Sequence, residues 1–189
     1  MKEPIDLHDT VPPSAWVQRW SHLVAQHGVV LDVACGQGRH ARWFHEQHHP
    51  VVLVDRSREA IESIALPASA CEAVVADIEN GPWPFAGRQF DAVVVTNYLW
   101  RPLMRTLLDS LAPGGVLIYE TFTQGNETVG KPSRPDFLLR TGELLDLCKE
   151  LRVVAFEEGY LDAPPRFVQR IAAVRERSST GTVARYPLS

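Results

Sequence analysis

The sequence predicts an α/β fold: a doubly wound, mostly parallel seven-stranded sheet, with helices on both faces and an antiparallel hairpin at the C-terminal edge. Short β-branched apolar runs recur along the chain, such as VVLDVAC at 29–35 and VVLVD at 51–55. The stretches between them carry apolar residues at helical spacing. Strands alternating with helices imply a parallel sheet. The last two runs, 153–159 and 167–175, are joined by DAPP and lack a helix between them. A parallel crossover needs about a dozen residues or more, so these two strands pair antiparallel.

The first helix is predicted over 14–27, where Trp16, Trp20, Leu23 and Val24 share a face behind a Ser14 cap. Strand one, 29–35, is apolar throughout and so suited to burial on both faces. It breaks at Gly36-Gln37-Gly38. A helix fits 39–49, with Ala41, Phe44 and His48 on one face. Strand two is 51–55, followed by a helix over 57–66 capped by Ser57. Strand three is 73–77, and NGPWPF at 80–85 is a turn-rich loop. Strand four, 90–97, precedes a helix over 99–111 that turns Leu103, Leu107, Leu108 and Leu111 inward. Pro113-Gly114-Gly115 stops that helix, and strand five is 116–122. A Gly/Pro/polar loop, 123–137, leads to a helix at 142–151 capped by Thr141.

A chain of 189 residues reads as one domain over 1–177, with 1–27 as a helical cap and 178–189 as a flexible tail. The composition, 45% apolar and 22% charged, supports a packed core. The net charge of −4 is uneven: residues 1–162 hold 14 basic and 22 acidic groups, whereas 163–189 hold five Arg and one Glu. So mild an acidity disfavours nucleic acid and anionic membranes as partners. No apolar run reaches the roughly 18 residues of a membrane span, and the N-terminus lacks a signal peptide's apolar centre. Cys35, Cys71 and Cys148 form neither a disulfide framework nor a CxxC pair. A cytoplasmic monomer or homodimer acting on a small molecule is the expectation. His45 and His49 are i,i+4 neighbours, but only Glu46 accompanies them, so no metal site is predicted.

In an open α/β sheet the ligand lies beyond the C-terminal strand ends. Strand one ends there in DVACGQGRHA, where Gly36 and Gly38 allow a tight turn and a close backbone approach. Gly36-x-Gly38-x-x-Ala41 also fits a dinucleotide fingerprint. Asp55, ending strand two, can accept both ribose hydroxyls. Asp77, ending strand three, can accept from an exocyclic amine or cap its own turn. Asp32 separates the possible nucleotides. A carboxylate about 5 Å from a pyrophosphate charge is repelled by roughly 3 kcal/mol at an effective dielectric near 20. A cationic ammonium and sulfonium would instead be attracted, and S-adenosylmethionine carries both.

Four motifs in order, VVLDVACGQGRHA, VVLVDRS, VVADIENGPWPF, and FDAVVVTNYL with LAPGGVLIYETF, resemble the class I S-adenosylmethionine-dependent methyltransferases. The ACGxGRHA form is similar to small bacterial members of tellurite-resistance-like type. The resemblance implies a Rossmann-like fold, S-adenosyl-L-methionine as cofactor and S-adenosyl-L-homocysteine as product. It implies that Asp32, Ala34, Cys35 and Gly36 hold the methionine end, with Gly38 at the turn. It places Asp55 on the ribose, with Arg56 beside it, and Asp77 and the Ile78 backbone on adenine. Asn97, at the end of strand four, joins the cofactor set. One position departs from the family's GxGxG pattern: its first glycine is Ala34 here, which would crowd the cofactor.

Methyl transfer from a sulfonium needs alignment and exclusion of water, with or without a general base. Tyr98 and Glu120 are the candidate catalytic residues, and His40 is a weaker candidate base. Arg101 could clamp an anionic acceptor. A loop as long as 123–137 is often a lid; Lys131 and Arg134 would bring positive charge to the acceptor. The amino-methyltransferase motif after strand four is replaced by NYLW, which gives no support to a nucleic-acid substrate. Two other readings stay open here: an NAD(P)-dependent oxidoreductase using GQGRHA, and a non-catalytic S-adenosylmethionine-binding protein. The cofactor domain takes up nearly the whole length, so a small acceptor is expected.

Overall fold

A computed structural model describes residues 11–177 and 183–188. The expected tail, 178–189, therefore lies in part outside the described residues. Seven strands form one sheet: β1 (Val30–Val33), β2 (Val51–Asp55), β3 (Cys71–Val75), β4 (Phe90–Thr96), β5 (Leu111–Phe122), β6 (Arg152–Asp162) and β7 (Pro165–Val174), in the order β3-β2-β1-β4-β5-β7-β6. The first five run parallel, and β7 pairs antiparallel with both β5 and β6. Strand order reverses at β1, which lies between β2 and β4 and is wholly buried. A crevice beyond the C-terminal ends of β1 and β4 is where such a sheet takes a ligand.

Alternate residues of each central strand face opposite layers. Leu31, Val33, Val52 and Val54 pack with Phe85, Phe90, Leu103 and Leu107 on one side. Val30, Val51, Leu53 and Val94 pack with Trp16, Trp20, Ala41 and Phe44 on the other. The helices are shorter than the sequence predicts. α1 is Ala15–Trp20, capped by the Ser14 hydroxyl on the Trp16 amide, and a 3-10 turn continues over Ser21–Leu23. α2 is Arg39–Glu46; His48 falls outside it in the left-handed region, exposed, and His49 is buried instead. α3 is Arg58–Glu62, capped by Ser57 on the Ala60 amide.

The predicted 99–111 helix divides into a 3-10 turn, Arg101–Leu103, and α4, Met104–Asp109. Pro113-Gly114-Gly115 does not precede β5 but lies within it: the register jumps from Phe90↔Leu111 to Ala92↔Val116, and Gly114 N–H donates to Arg175 O. β3 starts and ends two residues early, leaving Asp77 beyond its end. α5 is Glu143–Leu147, and Thr141 is not its cap. Gly142 occupies the cap with φ 71°, while the Glu143 carboxylate accepts the Arg140 amide.

Candidate functional site

The turn after β1 is held by β2. Asp55 Oδ2 accepts Gly36 N–H at 2.8 Å, and its Oδ1 accepts Ser57 N–H at 2.8 Å. Each oxygen keeps a lone pair for a further donor. The backbone is left-handed at Ala34 (φ 53°), Gly36 (54°) and Gly38 (73°). Nothing lies within 4 Å of a Cβ built on Gly36, so the turn leaves an open cradle. A Cβ on Gly38 would meet Ile64 Cδ1 at 2.8 Å, which ties that glycine to close packing. Ala34 holds the left-handed conformation with a side chain, at a cost of about 1–2 kcal/mol.

Ala34 also borders two cavities. One, about 140 Å³, is walled by Asp55, Arg56, Asp77, Ile78, Glu79 and Tyr98. The other, about 330 Å³, is walled by Cys35, Gly36, Arg39, His40, Thr96 and Asn97, with Val11 at its edge. Asn97 supports its wall in a left-handed conformation (φ 54°), its amide donating to Glu120 O; asparagine tolerates that region better than most residues. Asp32 is 1% exposed, and its Oδ2 has no hydrogen-bond partner. Burial pushes its carboxyl up to about 7, against the opposing pull of Arg39 and an Ala41 amide hydrogen bond. A buried carboxylate with one oxygen unpartnered suits a cationic ligand group. Cys35 is buried, which pushes its thiol up and leaves it unreactive as a nucleophile.

Several predicted roles change. Asp77 lines the first cavity, but its oxygens accept the Glu79 and Asn80 amides and the Asn80 side chain, so it chiefly caps its own turn. Those bonds hold its carboxyl below the usual range. Arg101 is no free clamp. It grips Glu143 through Nε (2.7 Å) and Nη2 (2.9 Å), and donates to Asp136 O and Leu138 O. Glu120, 1% exposed, accepts from Ser14 Oγ (3.0 Å) and Arg170 (3.3 Å), with Arg166 at 3.8 Å. Its oxygens are committed to those partners, which removes it as a free base. His40 is buried, which drives it down to about 3 and keeps it neutral, and its Nε2 accepts Ser14 N–H.

The 123–137 loop is more ordered than a structureless lid. It contains two 3-10 turns, Asn126–Thr128 and Pro135–Phe137. Buried Asn126 joins Pro132 O to the Phe167 amide. Lys131 and Arg134 are exposed, and Arg134 pairs with Asp136 at 3.0 Å. Neither lines either cavity. Trp83 meets Phe85 edge-to-face and does not line the first cavity. No group of three or more His, Cys, Asp or Glu residues in metal-holding geometry occurs among the described residues. No helix among them is long and apolar enough to cross a membrane.

Sequence reasoning missed Ser14, Arg39, Arg166 and Arg170. Arg39 stands inside the glycine motif and could have been singled out there. The other three meet Glu120 only through folding: β5–β7 register sets Glu120 opposite Arg170, and Ser14 arrives from 106 residues away. Arg39 is half-buried, within electrostatic reach of Glu120, Asp32 and Arg166. Arg166 keeps a buried Nε with no acceptor.

Comparison with known proteins agrees with this geometry. Residues 30–115 match the family model described as a methyltransferase domain. No curated protein matches the sequence. TehB from Haemophilus influenzae superposes with a TM-score of 0.73 at 18% identity, over 89% of this chain and 64% of TehB. An S-adenosylmethionine-dependent methyltransferase from Mesorhizobium loti gives 0.66 at 18% identity, over 85% and 98% of the two chains. The glycopeptide N-methyltransferase MtfA, complexed with S-adenosylhomocysteine, gives 0.59 at 16% identity, over 84% and 87%. The chain thus spans less than two thirds of TehB's length.

The match over residues 30–115 is to a methyltransferase domain, and the α/β architecture around it is the one these methyltransferase structures share. In architecture the chain is similar to TehB. The residues present fit the cofactor: a cradle opens at Gly36, a cavity lies beside Asp55, and Asp32 offers a buried carboxyl oxygen, Oδ2, without a partner. The same carboxylate disfavours a pyrophosphate over this turn, and with it the dinucleotide reading.

Proposed function

We propose that this protein transfers the methyl group of S-adenosylmethionine to a small acceptor that is already an anion, held by Arg166 with Arg39. The observation that carries the reading is the Arg166 Nε, buried without an acceptor. A buried cationic N–H group lacking a partner is costly, and an anion placed there satisfies it.

S-adenosylmethionine, when bound, supplies a methyl group already activated by its sulfonium. Asp32 would hold the ammonium end, Asp55 the ribose hydroxyls, and the Ile78 backbone with Asp77 the adenine; Arg56 would flank the ribose. Gly36 and Gly38 let the backbone come close, with Ala34 and Cys35 against the methionine chain and Asn97 at the mouth. On the acceptor side, His40 is neutral with its Nε2 occupied, and Glu120 is bonded to Ser14 and Arg170. Neither is placed to remove a proton, so the acceptor must bring its own lone pair. Oxyanions, carboxylates and thiolates meet that need; ammonium groups do not.

The test is a screen of S-adenosylhomocysteine release against inorganic oxyanions, small carboxylates, thiols and primary amines. Turnover confined to the anion-forming acceptors is expected. Turnover with amines alone would overturn the reading.

A further inference from the structure

We propose that Tyr98 is a specificity-determining residue whose hydroxyl donates a hydrogen bond to a ring nitrogen of the cofactor's adenine. The inference rests on the reading that the cavity beside Asp55 takes the adenosine end. It assigns Tyr98 to recognition of the base, not to the methyl-transfer step.

Tyr98 lines that cavity, and its hydroxyl is buried close to the Glu79 carboxylate without a hydrogen bond of good geometry to it or to any other group. The residue is firmly placed. Tyr98 O accepts the hydroxyl of fully buried Tyr119 at 2.9 Å, and the preceding amide, Asn97 N–H, donates to Glu120 O. Three residues on, Arg101 is locked to Glu143 and to two backbone carbonyls. The backbone that carries the ring is therefore held in position before any ligand arrives.

The chemistry of the wall decides what the hydroxyl does there. Asp55, Asp77 and Glu79 can only accept hydrogen bonds when ionised. Arg56 is exposed at the rim. Tyr98 is the one uncharged side-chain donor among the cavity's lining residues. Burial, with Glu79 and Asp77 nearby, pushes the phenol up, so it keeps its proton at neutral pH. Adenine carries one exocyclic amine donor and three ring-nitrogen acceptors. The carboxylates suit the amine, and only a donor can satisfy a ring nitrogen. A cavity of about 140 Å³ leaves little slack for a base to turn away from that donor. A site built around such a bond rejects analogues that lack the matching atom.

Calorimetry would test this with S-adenosylhomocysteine and its 1-deaza, 3-deaza and 7-deaza analogues, on the wild type and on Tyr98→Phe, which keeps the ring. Tyr98→Phe is expected to weaken S-adenosylhomocysteine about tenfold. One deaza analogue should bind the wild type about as poorly and show no further loss on Tyr98→Phe, which identifies the nitrogen. Unchanged affinity of Tyr98→Phe for S-adenosylhomocysteine would overturn the proposal, as would an equal loss on all four ligands. Absence of S-adenosylhomocysteine binding by the wild type would instead overturn the reading of the cavity itself.

Discussion

The two sides of the cleft are opposite in charge. Toward β2 and β3 the cavity wall is acidic, with Asp55, Asp77 and Glu79 around it and Asp32 buried behind the turn. Toward β5 and β7 stand Arg39, Arg166 and Arg170, gathered around a single buried carboxylate, Glu120. A second acid, Glu157, pairs with Arg170 further out. On the proposed function the difference is a division of labour: the acids would face a cationic, hydroxyl-rich cofactor, and the arginines an anion. The −4 net charge of the whole chain conceals this.

The comparison breaks first at Arg166. Arg166→Met should lower turnover with the best anion from the acceptor screen about 100-fold, measured by initial rates. Full activity in this variant would leave the basic side without a purpose.

Arg101→Met comes next, and it sharpens the boundary between function and scaffold. It strips the bidentate partner from Glu143, which is 8% exposed. A loss of about 2 kcal/mol in urea unfolding is expected. No loss of stability would return Arg101 to the acceptor, as its sequence position suggests.

Asp32 tests the acidic side through pH. Its folded-state carboxyl, at about 7, lies above the ordinary value of 3.8, so the folded protein holds the extra proton between them. The stability this group contributes is complete below about pH 4 and is lost as pH rises through 7. Asp32→Asn should therefore be more stable than the wild type at pH 8, by on the order of 1–2 kcal/mol. The gain should vanish near pH 4, and binding of S-adenosylhomocysteine should weaken. Thermal melts at both values check it; a variant less stable at pH 8 would mean Asp32 is paired in the folded protein.

The smallest effects belong to the exposed loop tip. Lys131→Ala and Arg134→Ala should change stability by less than about 0.5 kcal/mol and leave turnover with the same anion unaltered. A clear rate loss would bring the loop back as an acceptor contact.

These two sides also differ in how plainly the sequence declares them. The acidic side is local: Asp32 lies in β1 a few residues before the turn that holds Gly36 and Gly38, and Asp55 reaches Gly36 across adjacent parallel strands. Apolar runs and turn residues carry enough information for that, and for the strand count and the antiparallel edge. The basic side is assembled from afar. Glu120 meets Arg170 across 50 residues and Ser14 across 106, and Arg101 meets Glu143 across 42. A strand-end glutamate looks like a free base until the opposite strand's register puts an arginine against it. The helix ends were misjudged for a related reason. Apolar spacing continues through 99–111, but the chain first makes a 3-10 turn pinned by Arg101, and β5 admits Pro113-Gly114-Gly115 through a shift in register.

The division itself is tested most directly by calorimetry of S-adenosylhomocysteine on the wild type, Asp55→Ala and Arg166→Met. Asp55→Ala should weaken binding about tenfold or more, because a charge-assisted contact and the acceptor of the Gly36 amide are both lost. Arg166→Met should bind as the wild type does. Equal losses in the two variants, or unchanged binding in Asp55→Ala, would contradict a cleft with an acidic cofactor side and a basic acceptor side.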